Sequence, residues 1–137
     1  MRESEPVFVD TGAWIALALT RDPFHARARE AWDRLHGLGA RLHTSVPVIL
    51  ETFTFLDRNT LRDVALAWQG SLSQVALRIL PVTAADLEEA WPFFQRRDLH
   101  KLSAVDATSF VLMSREKIRT ALTFDHHFAM AGFRLIG

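Results

Sequence analysis

Cysteine is absent from this sequence. Disulfides, thiolate metal sites and cysteine nucleophiles are therefore all excluded, and the six His are the only soft metal ligands left. No charge of one sign prevails: 16 Lys plus Arg stand against 16 Asp plus Glu. A bulk polycation that coats nucleic acid is thus ruled out, but a local basic patch is not. Long hydrophobic runs are also missing. Segment 13–19 is typical of the longest, and a membrane span needs roughly 20 apolar residues. Met1 to Pro6 is short and charged, with no apolar stretch behind it, so no secretory signal is read there. The expectation is a soluble, cytoplasmic protein without a membrane segment.

What remains is ordinary globular material. Apolar residues make up 49% of the 137 and charged residues 23%, which excludes disorder as the main state. A chain of this length removes roughly two-thirds of its unfolded surface from water and needs no staple. The reading is one domain spanning 1–137, with no internal repeat, low-complexity tract or linker.

Short strand-like runs alternate with longer helical stretches. Strands are predicted over 6–9, 41–44, 77–80, 119–124 and 133–136. Helices are predicted over 13–19, 24–38, 46–58, 60–74, from 84 through Trp91 toward Arg96, 103–117 and 126–131. Ser45 is a candidate N-cap, with Pro47 tolerated in the first turn, and Pro92 is a candidate kink. Such alternation implies an α/β fold of three layers, with a mainly parallel central sheet flanked by helices.

In such sheets ligands bind outside the carboxyl ends of the strands. Asp10 follows the first strand and Asp125 follows the strand 119–124. Asp106 lies in the first turn of the helix leading to that strand. That helix climbs about 16–18 Å and the strand returns about 13–20 Å, so Asp106 and Asp125 meet at one edge. Glu51 sits in the second turn of the helix after strand 41–44, near the same edge. It stands in the apolar run from Val46 to Leu56, where a carboxylate must find water, a cation or a partner.

Each residue also has a structural reading. Asp10 and Asp125 spell N-caps, Ser103 to Asp106 spells a capping box, and Glu51 could face solvent or Arg58. Thr83 to Asp86 spells the same box and is read as structural only. Taken together, four converging carboxylates repel one another, and a divalent cation is the natural neutraliser. Hard oxygen donors favour Mg²⁺ or Mn²⁺ over Zn²⁺. Such a site activates water and stabilises charge on a phosphoryl group, which is the chemistry of phosphodiester hydrolysis.

Four segments carry a family resemblance: Val7-Phe8-Val9-Asp10-Thr11, Val48-Ile49-Leu50-Glu51, Leu102-Ser103-Ala104-Val105-Asp106-Ala107 and Leu122-Thr123-Phe124-Asp125-His126-His127-Phe128. Their order, with gaps of 41, 55 and 19 residues between successive acids, resembles the four acidic motifs of the PIN domain, whose commonest small members are VapC-type toxins. The resemblance covers nearly the whole chain. It implies a metal-dependent endoribonuclease, the toxin of a toxin–antitoxin pair. Asp10, Glu51, Asp106 and Asp125 would bind Mg²⁺ or Mn²⁺, and Thr11 and Thr123 would support the carboxylates. The expected partners are an RNA substrate, an antitoxin protein and a second copy in a homodimer.

Positive charge for RNA is sought first in the loop before Ser103, at Arg96, Arg97 and Lys101, and then at Arg21, Arg27, Arg29, Arg58 and Arg62. Trp14 and Phe24 are placed to stack on a base. His126 and His127 either extend the metal site, contact RNA, or begin a helix facing solvent. His43 and His100 lie near element ends. No His pair has helix-face spacing within one helix, which argues against zinc. Phe53, Phe55, Leu61, Ala65, Leu66 and Trp68 are read as core, dimer face or antitoxin groove.

Three rivals are weighed. A haloacid-dehalogenase-type phosphatase needs a second Asp where Gly12 stands. A Rossmann domain needs a glycine-rich first turn, which 10–14 lacks. A catalytically silent PIN-fold module that binds RNA or protein remains open.

Overall fold

The computed structural model describes residues 5–137. Most of the charged N-terminal lead read from Met1 onward lies outside the described residues. Five strands, β1 (Pro6–Val9), β2 (Arg41–Ser45), β3 (Leu77–Leu80), β4 (Thr120–Leu122) and β5 (Arg134–Ile136), form one sheet in the order β3-β2-β1-β4-β5. Every neighbouring pair is parallel. The chain moves outward from β1 to β3 on one side, then returns to the other side of β1 for β4 and β5. The β1/β4 pair is therefore the topological switch point, where a parallel sheet opens a crevice.

Among the described residues seven α-helices flank the sheet: α1 (Thr11–Ala18), α2 (His25–Gly37), α3 (Val46–Asn59), α4 (Arg62–Ser71), α5 (Ala84–Ala90), α6 (Ala104–Arg115) and α7 (His127–Met130). α3 packs on α1, α4 and α6, and α5 packs on α6. Their starts follow the sequence. The Ser45 side chain accepts from Val48 N at 3.2 Å, with Pro47 in the first turn of α3. At α5 the Thr83 hydroxyl accepts from Asp86 N, and the Asp86 carboxylate accepts from Thr83 N. That is the complete capping box. Buried Asp86 also accepts two bonds from Arg115 Nη1, at 2.7 and 2.8 Å, which clamps α5 to the end of α6. The Thr83 backbone N–H first, and then Arg115, hold its carboxyl below the usual carboxylate range.

Two predicted helices end early. The stretch 60–74 yields α4 and then a 3₁₀ turn over Leu72–Gln74. The stretch from Ala84 toward Arg96 gives α5 and a 3₁₀ turn over Trp91–Gln95, since Pro92 has no N–H to extend the α-helical ladder. The strand expected over 119–124 closes at Leu122. Thr123 N still donates to Ile136 O at 3.2 Å, but beyond it the chain turns.

The core is continuous from the sheet through α6, whose residues from Asp106 to Met113 are all buried. A helix buried on every side belongs between layers. Phe110 is fully buried there, edge-on to Phe93 and Phe128 and stacked near Phe133, at 5.0–5.7 Å. No helix among the described residues is long and apolar enough to cross a membrane. Phe110→Ala is expected to cost about 3–5 kcal/mol of folding stability, read from the urea midpoint with an unchanged denaturant slope.

Candidate active site

A cavity of about 400 Å³ opens at the carboxyl end of β1 and β4. Asp10, Glu51, Asp106 and Asp125 all line it, facing Ile15, Phe24, Phe55 and Phe124 across the opening. Four elements deliver the acids. Asp10 ends β1, and its N–H donates to Leu122 O at 3.1 Å, fastening this residue to β4. It holds the N-cap position of α1, yet its side chain makes no capping bond. The carboxylate is thus left for the cavity.

Asp106 rides on the first turn of α6. Ser103 accepts from Asp106 N at 3.0 Å, but the reciprocal half of the box that Asp86 completes is not formed here. The Asp106 carboxylate is directed at Asp10 and Asp125 instead. Asp125 follows the turn after β4, and its Oδ1 accepts from His127 N at 2.9 Å. Glu51 comes from α3 and is half-buried.

Thr123 joins two of these acids. Its hydroxyl donates to Asp10 Oδ2 at 2.9 Å and accepts from Asp125 N at 3.1 Å. One buried hydroxyl thereby sets the position of Asp10 and the backbone of Asp125. Thr11 lines the cavity and its Oγ1 is buried without a hydrogen-bond partner.

The electrostatics are those of crowded acid in a dry place. Asp10 is 4% exposed and Asp106 8%. Burial pushes the Asp10 carboxyl up to about 7, with repulsion from Asp125 and Glu51 adding to it against the pull of the nearby Thr11 backbone N–H and the Thr123 hydroxyl bond. Burial likewise pushes Asp106 up to about 8, reinforced by Asp10 and Asp125. Desolvation and like charge both disfavour the ionised form. Asp10 Oδ1 and His127 Nδ1 are buried with no hydrogen-bond partner. Donor atoms of Asp106, Asp125 and His127 lie within 4.8 Å of one another. A cation would relieve both the repulsion and the orphaned atoms, so the residues present fit a divalent ion.

Other expected residues separate. His126 is exposed, whereas His127 is buried rather than solvent-facing. Its Nε2 lies 2.7 Å from His100 O, so His100 contributes through its backbone. His43 is buried behind the sheet face, with Nδ1 on Arg41 O, and burial lowers its pKa. Trp14 cannot stack on a base: it is 3% exposed, donates to Thr44 Oγ1 and packs edge-on to Trp32 and Trp68.

Phe24, in contrast, stays 39% exposed on the cavity rim. It stacks on Phe124 at 4.5 Å, with the Arg27 guanidinium beside both rings. The role of Phe124 in this rim was not legible in the sequence, because the pairing spans a hundred residues. Arg96 is engaged by Asp98 and by Met130 O, Arg62 by Asp57 and Arg29 by Asp33. Arg97 and Lys101 are exposed. Of the apolar group on α3 and α4, Ala65 and Trp68 are core, while Phe55, Leu61 and Leu66 are exposed.

Comparison with known proteins identifies the family and the fold. The PIN domain family matches residues 7–134. The 23S rRNA-specific endonuclease VapC20 of Mycobacterium tuberculosis strain H37Rv is 36% identical over 127 residues, covering 93% of this chain and 95% of its own. The crystal structure of that protein, described as a sarcin-ricin loop cleaving toxin, superposes with a TM-score of 0.82 at 35% identity, again over 93% and 95% of the two chains. VapBC2 from Rickettsia felis, solved with a promoter DNA fragment, shares the fold at TM-score 0.70 and 11% identity, over 95% of this chain and 96% of that one. The chain therefore belongs to the PIN-domain family, among its VapC-type endonucleases.

The raised carboxyls carry a sign that can be tested. Asp10 and Asp106 hold protons more tightly folded, near 7 and 8, than unfolded, near 3.8. Their contribution to stability is full below the unfolded value and is lost as pH rises through the folded ones. In chelator, Asp106→Asn is expected to melt above the parent, with a gap that opens above about pH 4, widens toward about pH 8 and then levels off. Saturating Mn²⁺ should close the gap by stabilising the parent. Thermal melts of both proteins across that range check it.

Proposed function

We propose that this protein is a divalent-metal-dependent endoribonuclease, the toxin of a toxin–antitoxin pair acting in the cytoplasm, which hydrolyses RNA phosphodiester bonds with water as nucleophile. The supporting observation is the convergence of Asp10, Glu51, Asp106 and Asp125 on one cavity, with a buried Asp10 oxygen left unpartnered. The donors are hard oxygens, which suit Mg²⁺ or Mn²⁺. Asp10, Asp106 and Asp125 would be its main holders, with Glu51 a further ligand or the base that positions water. When bound, the ion supplies a more acidic water and a counter-charge for the phosphoryl oxygens.

The chain's own residues do the positioning. Thr123 holds Asp10 and Asp125 in fixed relation. Ser103 caps α6 and so fixes the turn that carries Asp106. Glu51, half-buried on α3, stands away from the β1/β4 seam, where it can accept a proton from water. Arg97 and Lys101 offer phosphate contacts ahead of Ser103, and Arg96 joins them once released from Asp98. Exposed Phe24 offers a ring for an unpaired base at the rim.

The specificity named for the Mycobacterium tuberculosis relative makes a structured ribosomal RNA loop the first substrate to try. Exposed Val46, Leu50, Phe55, Leu61 and Leu66 along α3 and α4 suit an antitoxin segment or the second copy of a homodimer.

Purified protein is expected to cut such RNA with Mn²⁺ or Mg²⁺ and to stop in chelator. Asp10→Asn should lower the rate by at least about two orders of magnitude, the scale of losing a catalytic electrostatic group. An Asn variant as active as the parent would refute the assignment and favour a silent binding module. Thr123→Val, which leaves the acids in place but unfastened, should lose about tenfold at constant fold, checked by circular dichroism.

A further inference from the structure

We propose that His127 supplies, through Nδ1, a nitrogen ligand to the divalent ion of this site, and so biases it from Mg²⁺ toward Mn²⁺. The inference rests on the reading that the acidic cavity holds such an ion.

Three observations carry it. First, the tautomer is set from the far side of the ring. Nε2 lies 2.7 Å from the carbonyl oxygen of His100. A carbonyl only accepts, so Nε2 carries the proton and donates, and the neutral ring then presents a lone pair at Nδ1. A backbone carbonyl behind the ring is the usual second support of a metal-bound imidazole.

Second, Nδ1 is buried and makes no hydrogen bond, in a residue only 9% exposed. Asp125 Oδ1 stands beside it at 3.0 Å. Despite that short distance the two are not aligned as donor and acceptor. Oδ1 takes its hydrogen bond from the His127 backbone N–H instead, at 2.9 Å. An imidazole lone pair beside a carboxylate oxygen is repulsive unless a positive centre lies within reach of both.

Third, the spacing suits a shared ion. Adjacent donors on an octahedral ion with bonds of about 2.1 Å stand about 3.0 Å apart, each pointing at the ion and not at the other. Nδ1 and Oδ1 show that separation, 3.0 Å, and that lack of mutual alignment. Asp106 completes the group, with donor atoms of all three residues inside 4.8 Å.

The consequence is selectivity. Oxygen donors alone serve Mg²⁺ and Mn²⁺ similarly, whereas imidazole nitrogen favours the transition ion. Asp106 and Asp125 supply oxygen beside it, and His127 tips the balance.

Mn²⁺ affinity is measured by the loss of its free-ion EPR signal, and Mg²⁺ affinity by displacement of bound Mn²⁺, on the parent, His127→Ala and Asp10→Asn. His127→Ala is expected to weaken Mn²⁺ by at least about tenfold and to change Mg²⁺ little, so the preference collapses. Asp10→Asn should weaken both ions together. Unchanged Mn²⁺ affinity and preference in a folded His127→Ala, beside a weakened Asp10→Asn, would overturn the ligand assignment and leave the acidic site standing. A parent that binds neither ion would overturn both. Should His127→Ala fail to fold, the parent alone decides: electron spin-echo spectra of its Mn²⁺ form should show coupling to a ring nitrogen, and spectra without it would overturn the proposal.

Discussion

Like charge confined in a poorly hydrated cleft is the constraint on which the rest of this structure turns. Asp10 and Asp106 are almost wholly withdrawn from water, and Asp125 and Glu51 stand beside them. Neither burial nor proximity is comfortable for a carboxylate, and both push the proton affinity upward. No positive charge offsets this: among the described residues no Lys or Arg lines the cavity, and the neutral donors at Asp10 oppose the shift only in part. The remainder of the fold must therefore hold the acids against their own repulsion. Much of its architecture can be understood as doing so, from the buried helix that carries Asp106 to the sheet that carries Asp10.

Topology accomplishes the first part of that task. With every strand parallel, all strand exits face one way, and the order β3-β2-β1-β4-β5 places the switch in strand order between β1 and β4. Asp10 and the turn to Asp125 leave from neighbouring strands. α6, buried from Asp106 to Met113, brings Asp106 to the same point. Thr123 then does at atomic scale what the sheet does at large. Its single hydroxyl is bonded to the Asp10 side chain and to the Asp125 backbone, so the spacing between two mutually repelling groups is fixed by a shared partner.

The sequence disclosed a good deal of this. Strand and helix alternation led to the parallel sheet, and the positions of Asp10, Asp106 and Asp125 relative to strand ends led to one edge. It was less informative where one spelling serves two uses. Thr83–Asp86 and Ser103–Asp106 read alike, yet Asp86 turns back to complete its box while Asp106 turns away to the cleft. What separates them is distant: Arg115 draws Asp86 inward, and Asp106 faces two other acids. The burial of His127 was hidden for a similar reason. Its ring is held by the backbone of His100, and a carbonyl has no signature in a side-chain pattern. The end of β4 was set too late because Thr123 and Phe124 have good strand propensity, whereas the hydroxyl of Thr123 is spent on Asp125 N and favours a turn.

The cleft is built from two unlike materials. Its floor belongs to the sheet: Asp10 N and Thr123 N take part in backbone bonds to Leu122 and Ile136, so these residues cannot shift without disturbing the strands beneath. Its walls are side chains of α3 and the rim, Glu51, Phe55 and Phe24, which are partly exposed and attached only by packing. Change falls unequally on the two. A substitution in the floor is felt by the whole molecule, while one in the wall alters the shape presented to a visitor and little else. A lineage built on this plan can revise what it admits while leaving untouched the apparatus that acts on it.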